Sequence, residues 1–403
     1  MKNLEKRVPV IRFKGFSEAW EQRKVLDYAI YTYGGGTPKT NVPEYWSGEI
    51  PWIQSSDLSI SNLFNINPKK HITELAIKSS ATKFIPANSI AIVSRVGVGK
   101  LVFMPFEYTT SQDFLSLSNL QVDSNFGVYS IYMMLQRELN NIQGTSIKGI
   151  TKSDLLEKKI NKPSSREEQQ KIGSFFKQLD NTIALHQRKL EALKLMKKAF
   201  LQQIFPNNEE KVPRVRFVDF DEEWDQRKLG DLGSVVMNRR IFKEETSYKG
   251  EIPFYKIGTF GGVANSYITR ERFEDYKLKY PYPEKGDVLI SASGSIGRVV
   301  EYNGEEAYYQ DSNIVWLKHD KQLNNLFLKQ FYSIVKWSGI EGTTIKRLYN
   351  KNILQTEIKV PGIDEQKRIG IFFKQLDNNI TRYQSKLEKL SSLKKAYLQR
   401  MFI

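Results

Sequence analysis

The chain repeats itself, so any fold it adopts must build one scaffold twice. Residues 168–205 (EQQKIGSFFKQLDNTIALHQRKLEALKLMKKAFLQQIF) match residues 365–402 (EQKRIGIFFKQLDNNITRYQSKLEKLSSLKKAYLQRMF) at 23 of 38 positions without a gap. Residues 8–27 and 212–231 agree at 11 of 20. The interiors between these frames have diverged further. GEIPWI (48–53) still aligns with GEIPFY (250–255), Gln112-Asp113 with Gln310-Asp311, and GTSIK (144–148) with GTTIK (342–346). Constant frames around variable contents point to one scaffold carrying two related but different recognition surfaces.

The repeated frames read as long helices. Ile172, Phe176, Leu179, Ile183, His186, Leu190, Leu193, Lys197, Phe200 and Ile204 alternate in steps of four and three. So do Ile369, Phe373, Leu376, Ile380, Tyr383, Leu387, Leu390, Lys394, Tyr397 and Met401. A sustained 3.5-residue period predicts a coiled-coil seam, here one copy pairing with the other. Lys197 and Lys394 interrupt both stripes at the same place, where Met196 or Leu393 could take over. Ser165 followed by Glu168 predicts a capping box at the first start, and Pro206 ends that helix. The interiors, roughly 28–160 and 232–360, carry short apolar runs such as SIAIV (89–93) and DVLIS (287–291) between turn residues, as mixed α/β units do. The expected fold is α+β: a first module over 1–162, a helix over 163–206, a second module over 207–360 and a second helix over 361–403. If the halves are equivalent, one helix leads out and the other back, antiparallel, with the modules at opposite ends about a pseudo-twofold axis. Ile172 to Ile204 would then give a rod of roughly 50 Å at about 1.5 Å per residue.

Charge narrows the partner. The 403 residues carry a formal charge of +16. Split at Pro206, the first half holds 28 Lys+Arg against 18 Asp+Glu and the second 33 against 27, so both are basic. An excess spread over both units fits a polyanion, most economically nucleic acid. The chain has no cysteine and only His71, His186 and His319, which excludes disulfides and Cys-based zinc sites. With no secretory signal pattern and no apolar run of membrane-spanning length, a soluble, cytoplasmic protein is expected, without membrane contact.

The chain offers no catalytic centre that the residues would support. GVGK (97–100) lacks the Gly six positions before the Lys and the following Ser or Thr of a phosphate loop, having Ser94 and Leu101 there, and reads as a hairpin turn. The equivalent SGSIGR (293–298) fails the same test. The run Asp364 to Lys367 superficially resembles a nuclease cluster but fits an acidic helix start. What remains is binding chemistry beside turn glycines. The DNA-contacting candidates are Thr37, Lys39, Gln54, Ser55, Ser94, Arg95, Gln112 and Lys148 in the first interior. The second offers Asn238, Arg239, Arg240, Lys243, Lys256, Ser291, Ser293, Gln310 and Lys346. Arg and Lys can pair with guanine, Asn and Gln with adenine, and all can take phosphates. Phe175, Leu195 and Phe372 lie beside the helical stripe and are candidates for a partner interface.

These features resemble the DNA-specificity subunit of type I restriction–modification enzymes, over almost the whole chain. The marks are WEQRKV (20–25) and WDQRKL (224–229), GGTP (35–38) followed by YWSGEIPWIQSSDL (45–58), and the Pro–Glu-Gln entry to each amphipathic helix. The second half departs from the pattern: it has no GGTP, and Asn238-Arg239-Arg240 stands roughly where Gly36-Thr37-Pro38 would align. The resemblance implies two target-recognition domains, each reading one half of a bipartite double-stranded DNA site, with the helices as spacer. It also implies recruitment of two methyltransferase subunits and of motor-nuclease subunits. S-adenosylmethionine, ATP and Mg would then belong to those partners and none to this chain, which would be no enzyme itself. The competing reading is a non-enzymatic coiled-coil protein that organises nucleic acid without sequence choice. Divergent interiors in near-identical frames argue against it.

Overall fold

The computed structural model describes residues 8–141, 150–207, 209–320, 322–343 and 346–403. The chain divides into two compact units, one of residues 1–187 with 386–403 and the other of residues 188–385. Each unit therefore contains a module and a part of each long helix. The first helix is Arg166–Ile204 and the second Ile363–Met401. Among the described residues no helix is long and apolar enough to cross a membrane.

The repeat holds strand by strand. In the first unit Glu21–Lys24 pairs antiparallel with Lys159–Lys162, beside a four-stranded antiparallel sheet ordered Ala29–Gly34, Phe114–Leu120, Ser89–Val93, Leu101–Met104. A three-stranded sheet is ordered Lys70–Ile72, Ile50–Ile53, Thr109–Thr110, with the last pair parallel. The second unit repeats all three sheets. Asp225–Lys228 pairs with Glu357–Val360. The four-stranded sheet runs Gly233–Met237, Ile314–His319, Val288–Ser291, Val299–Glu301, and the three-stranded one Tyr267–Ile268, Ile252–Tyr255, Tyr308–Tyr309. SIAIV and VLIS are buried at every residue. Both lie inside their sheets with neighbours on each side, which is why they are apolar without alternation.

The frames build the cores. In the first unit Phe402 packs against Trp20, Phe126 and Phe176, at ring separations of 6.4, 5.6 and 5.7 Å. In the second, Phe205 meets Trp224 at 6.0 Å and stacks on Phe327 at 5.1 Å. Truncating any one of these rings to alanine should cost about 3–5 kcal/mol. Two buried ion pairs are equally matched. Arg12 donates to both carboxylate oxygens of Glu168 at 2.6 and 2.8 Å, and Arg216 to those of Glu365 at 2.8 and 2.8 Å. Glu168 thus does not close a capping box. Ser165 Oγ accepts from the Glu168 N–H, but the Glu168 carboxylate is taken by Arg12 and by the Trp20 N–H.

Within each unit the helix segments lie antiparallel, as the seam predicts. Phe175 meets Tyr397 edge-on at 5.4 Å in the first unit, and Phe200 meets Phe372 at 5.1 Å in the second. All ten stripe positions of each helix are buried or half-buried, whereas Met196 and Leu393 are exposed. The lysines keep their seam positions because each finds a carboxylate: Lys197 bonds Asp377 at 2.6 Å, and Lys394 bonds Asp180. The helices also come unusually close to their modules. A Cβ at Gly173 would lie 2.6 Å from the Phe126 nitrogen, and one at the equivalent Gly370 would lie 2.6 Å from Leu326 Cβ. Glycine is what lets the start of Ser124–Asn141 and of Asn325–Ile334 pack there. The chain is an α+β internal repeat of two mixed α/β modules on two long helices.

Candidate nucleic-acid interface

In each unit several of the candidate cations lie on loops between the sheet strands, where the two interiors diverge. In the first, Gly35 and Gly36 thread the chain against residues 110–111 and 81–82, where any Cβ would clash at 2.5 Å or less. Gly36 N–H donates to the Thr110 carbonyl at 2.9 Å, and Trp52 Nε1 donates to the Gly36 carbonyl at 3.0 Å. So pinned, the loop exposes Thr37 and Lys39. The Thr37 hydroxyl donates to Gln112 Oε1. Arg95 is exposed in the hairpin turn that contains GVGK, with Gly97 at φ +89° and Gly99 at φ +96°, while Lys100 turns inward to the Ser55 carbonyl at 3.0 Å. Gln54 and Ser55 are half-buried, and Asp57 caps the Gln54 N–H. Lys148 lies outside the described residues.

Two cations join this group that sequence reasoning passed over. Burial, then the nearby Arg95 and Lys83, hold the Lys152 ammonium below its ordinary value, with Asp113 acting in the opposite direction. Lys152 thus lies in the field of Arg95 and Lys83, with Asp113 opposing them.

The second unit lacks the Gly-Gly thread and pins its loop differently. Phe254 stands where Trp52 does and has no N–H to offer, and the Tyr308 hydroxyl instead donates to the Arg239 carbonyl at 2.8 Å. The loop lines a groove of about 930 Å³ that draws together Arg240, Lys243, Lys256, Ser293 and Gln310. Arg347 and Lys351 also line it, against only two carboxylates, Glu244 and Asp311. Arg347 follows the GTTIK match directly, so extending that motif by one residue would have found it. Arg239 and Lys346 are exposed, Arg239 lying over the Tyr280 ring at 5.4 Å.

Four candidates are buried and turned inward, which corrects their assignment as surface contacts. Ser94 Oγ donates to the Asp113 carbonyl at 3.0 Å, and Ser291 Oγ donates to the Ser295 carbonyl while accepting from Arg298 N–H. Ser293 Oγ bonds Asn313 Oδ1, and Asn238 Nδ2 reaches the Pro281 carbonyl at 3.4 Å. They brace the turns that carry the exposed residues. The glutamines are also committed on one side. Gln112 Oε1 is used by Thr37 and Gln310 Oε1 by the Ile257 N–H at 3.1 Å, which leaves their NH2 groups as the remaining donors. On the helices, Phe175 is half-covered by Phe13 and Tyr397, and Phe372 by Phe217 and Phe200. Leu195 alone of the three remains open, at 69% exposure.

The sequence matches the family model for the type I restriction modification DNA specificity domain twice, over residues 17–195 and 221–391. A type I restriction enzyme specificity subunit of Methanocaldococcus jannaschii is 26% identical, over 95% of this chain and 92% of that one. A putative type I restriction enzyme specificity subunit of Haemophilus influenzae is 50% identical over 172 residues, 42% of this chain and 45% of that protein. In three dimensions the fold is similar to that of the S subunit of a type I restriction–modification system from M. genitalium, with a TM-score of 0.66 and 16% identity, over 98% of this chain and 99% of that one. Two matches to one family model, laid over two equivalent units, leave one conclusion: this chain belongs to the type I restriction–modification DNA specificity family.

Proposed function

We propose that each unit reads one half of a bipartite double-stranded DNA site, and that the long helices set the spacing and carry the partner subunits. The observation behind this reading is that the two units share every sheet, the Arg–Glu bridge and the aromatic core pairs of the frame, yet differ in the loops that carry their candidate cations. A scaffold that merely coated DNA would have no use for two differently pinned loops on one architecture. Phosphate contacts from the cations would fix register, and base edges would be read by the groups between them. The partners in this reading are two methyltransferase subunits and the motor-nuclease subunits, which bring S-adenosylmethionine, ATP and Mg. The chain itself acts as specificity subunit and performs no catalysis.

The test is a module exchange. Replacing residues 28–160 with the interior of another specificity subunit should change one half of the methylated target and leave the other half and the spacer as they were. Mapping methylated adenines in DNA from cells carrying the exchanged chain and its partners reads this directly. A swap that altered both halves together would overturn the proposal.

A further inference from the structure

Both units place a single aspartate, directly after the aligned glutamine, among cations with which it forms no ion pair. Asp311 lines the groove with Arg240, Lys243, Lys256 and Arg347. Apart from its own backbone N–H, its carboxylate has no hydrogen-bond partner among the described residues, and none of their ion pairs includes it. Burial pushes it above the ordinary aspartate range, with Arg240 and Arg239 opposing. Asp113 repeats the arrangement. It is half-buried next to Gln112, close enough to Lys152 to act on its titration, and among the described residues its carboxylate accepts one hydrogen bond, from Ser111 Oγ at 3.4 Å.

A carboxylate is the wrong group for a surface that meets only phosphates, since it repels them and weakens the field of the cations around it. Its chemistry is that of an acceptor awaiting a donor. In the DNA major groove the donors are the exocyclic amino groups, N4 of cytosine and N6 of adenine. Beside it the glutamine has its oxygen occupied and its NH2 left as a donor, so the Gln-Asp dipeptide offers one donor and one acceptor side by side.

We infer that Asp311 in the second unit, and Asp113 in the first, are specificity-determining residues whose carboxylates accept a hydrogen bond from the amino group of a cytosine or adenine in their half-sites. This inference rests on the half-site reading proposed above. It makes the aspartate, not the glutamine, the acceptor for the base, and it gives the carboxylate a second effect. By repelling phosphates it lowers affinity for DNA that cannot supply an amino group at that position.

The experiment uses the full chain assembled with its methyltransferase subunits, in wild-type, Asp311→Ala and Asp113→Ala forms. Each is taken through selection from a random-sequence duplex library, and its affinity for an unselected random duplex is measured. Alanine removes both the charge and the acceptor oxygens, and thermal unfolding checks that the fold is kept. Asp311→Ala should relax one position of one half-site by roughly tenfold or more, leaving the other half-site intact. Its affinity for random duplex should rise about two- to fivefold. Asp113→Ala should do the same in the opposite half-site. The base lost from the relaxed column tells cytosine from adenine. An unchanged selected motif, a change in both half-sites, or a random-duplex affinity that fails to rise would each overturn the inference. A wild-type complex that enriches no sequence would instead refute the half-site reading itself.

Discussion

Lys197 Nζ lies 2.6 Å from Asp377 Oδ1, and the equivalent Lys394 pairs with Asp180 in the same way. These pairs explain a lysine at a position the heptad pattern reserves for an apolar side chain. Both partners in the second unit are less than a third exposed, so the pair should be worth more than an ordinary surface bridge. A double-mutant cycle with Lys197→Ala and Asp377→Ala should return a coupling of about 1 kcal/mol, read from hydrogen exchange of second-unit amides. A coupling near zero would reduce the pair to a crystal-like coincidence of geometry.

The Arg12–Glu168 bridge is more deeply placed, with side-chain exposures of 10% and 1%. Arg12→Met should therefore destabilise the first unit by about 3–5 kcal/mol, because it strands a buried carboxylate. Replacing both partners by apolar residues should recover most of that loss. Arg216→Met should act in the same way on the second unit, where Glu365 is equally buried. Limited proteolysis distinguishes which unit has loosened.

Gly173→Ala and Gly370→Ala test the close approach of helix and module. On helix propensity alone each should stabilise by about 1 kcal/mol. The new methyl would fall 2.7 Å from Asp123 Oδ1 in the first case and 3.1 Å from Asn324 Oδ1 in the second. The expected net result is a loss of about 1–3 kcal/mol in urea unfolding.

Leu195 is the cleanest probe of partner docking because it is the most exposed of the three candidates. Leu195→Asp should leave stability within about 0.5 kcal/mol of wild type and abolish co-elution with purified methyltransferase subunits. Phe175→Asp and Phe372→Asp are poorer probes, since each would also break ring contacts inside its unit. Normal assembly by Leu195→Asp would move the docking surface elsewhere.

The scaffold was legible in the sequence because it is periodic and repeated. The seam positions follow from a 3.5-residue stripe present twice, the antiparallel pairing from the equivalence of the halves, and the α+β class from adding short apolar runs between turn residues. The contacts that lock the frames were not legible: Arg12 and Glu168 stand 156 residues apart, and no local pattern joins them. The loops misled in a systematic way. Ser94, Ser291 and Ser293 sit among turn residues and read as exposed, but Ser291 folds back onto its own turn at the Ser295 carbonyl, and Ser94 and Ser293 tie their turns to the sequence-distant Asp113 and Asn313. Lys83 and Lys152 were missed because their grouping depends on chain crossings that sequence adjacency does not record, whereas Arg347 stood one residue beyond the GTTIK match.

The division of the chain also imposes an order on its synthesis. Residues 188–385 form the second unit as one continuous stretch, whereas the first unit needs residues 386–403 to supply Leu398 and Phe402 to its core. A ribosome adding about 5–20 residues per second takes on the order of 10–40 s to make the intervening stretch. Through that interval the first module waits with Trp20, Phe126 and Phe176 missing a partner. The half translated first is therefore the half that finishes folding last, and the interval in which it is open to chaperones or proteases is set by the length of its sibling.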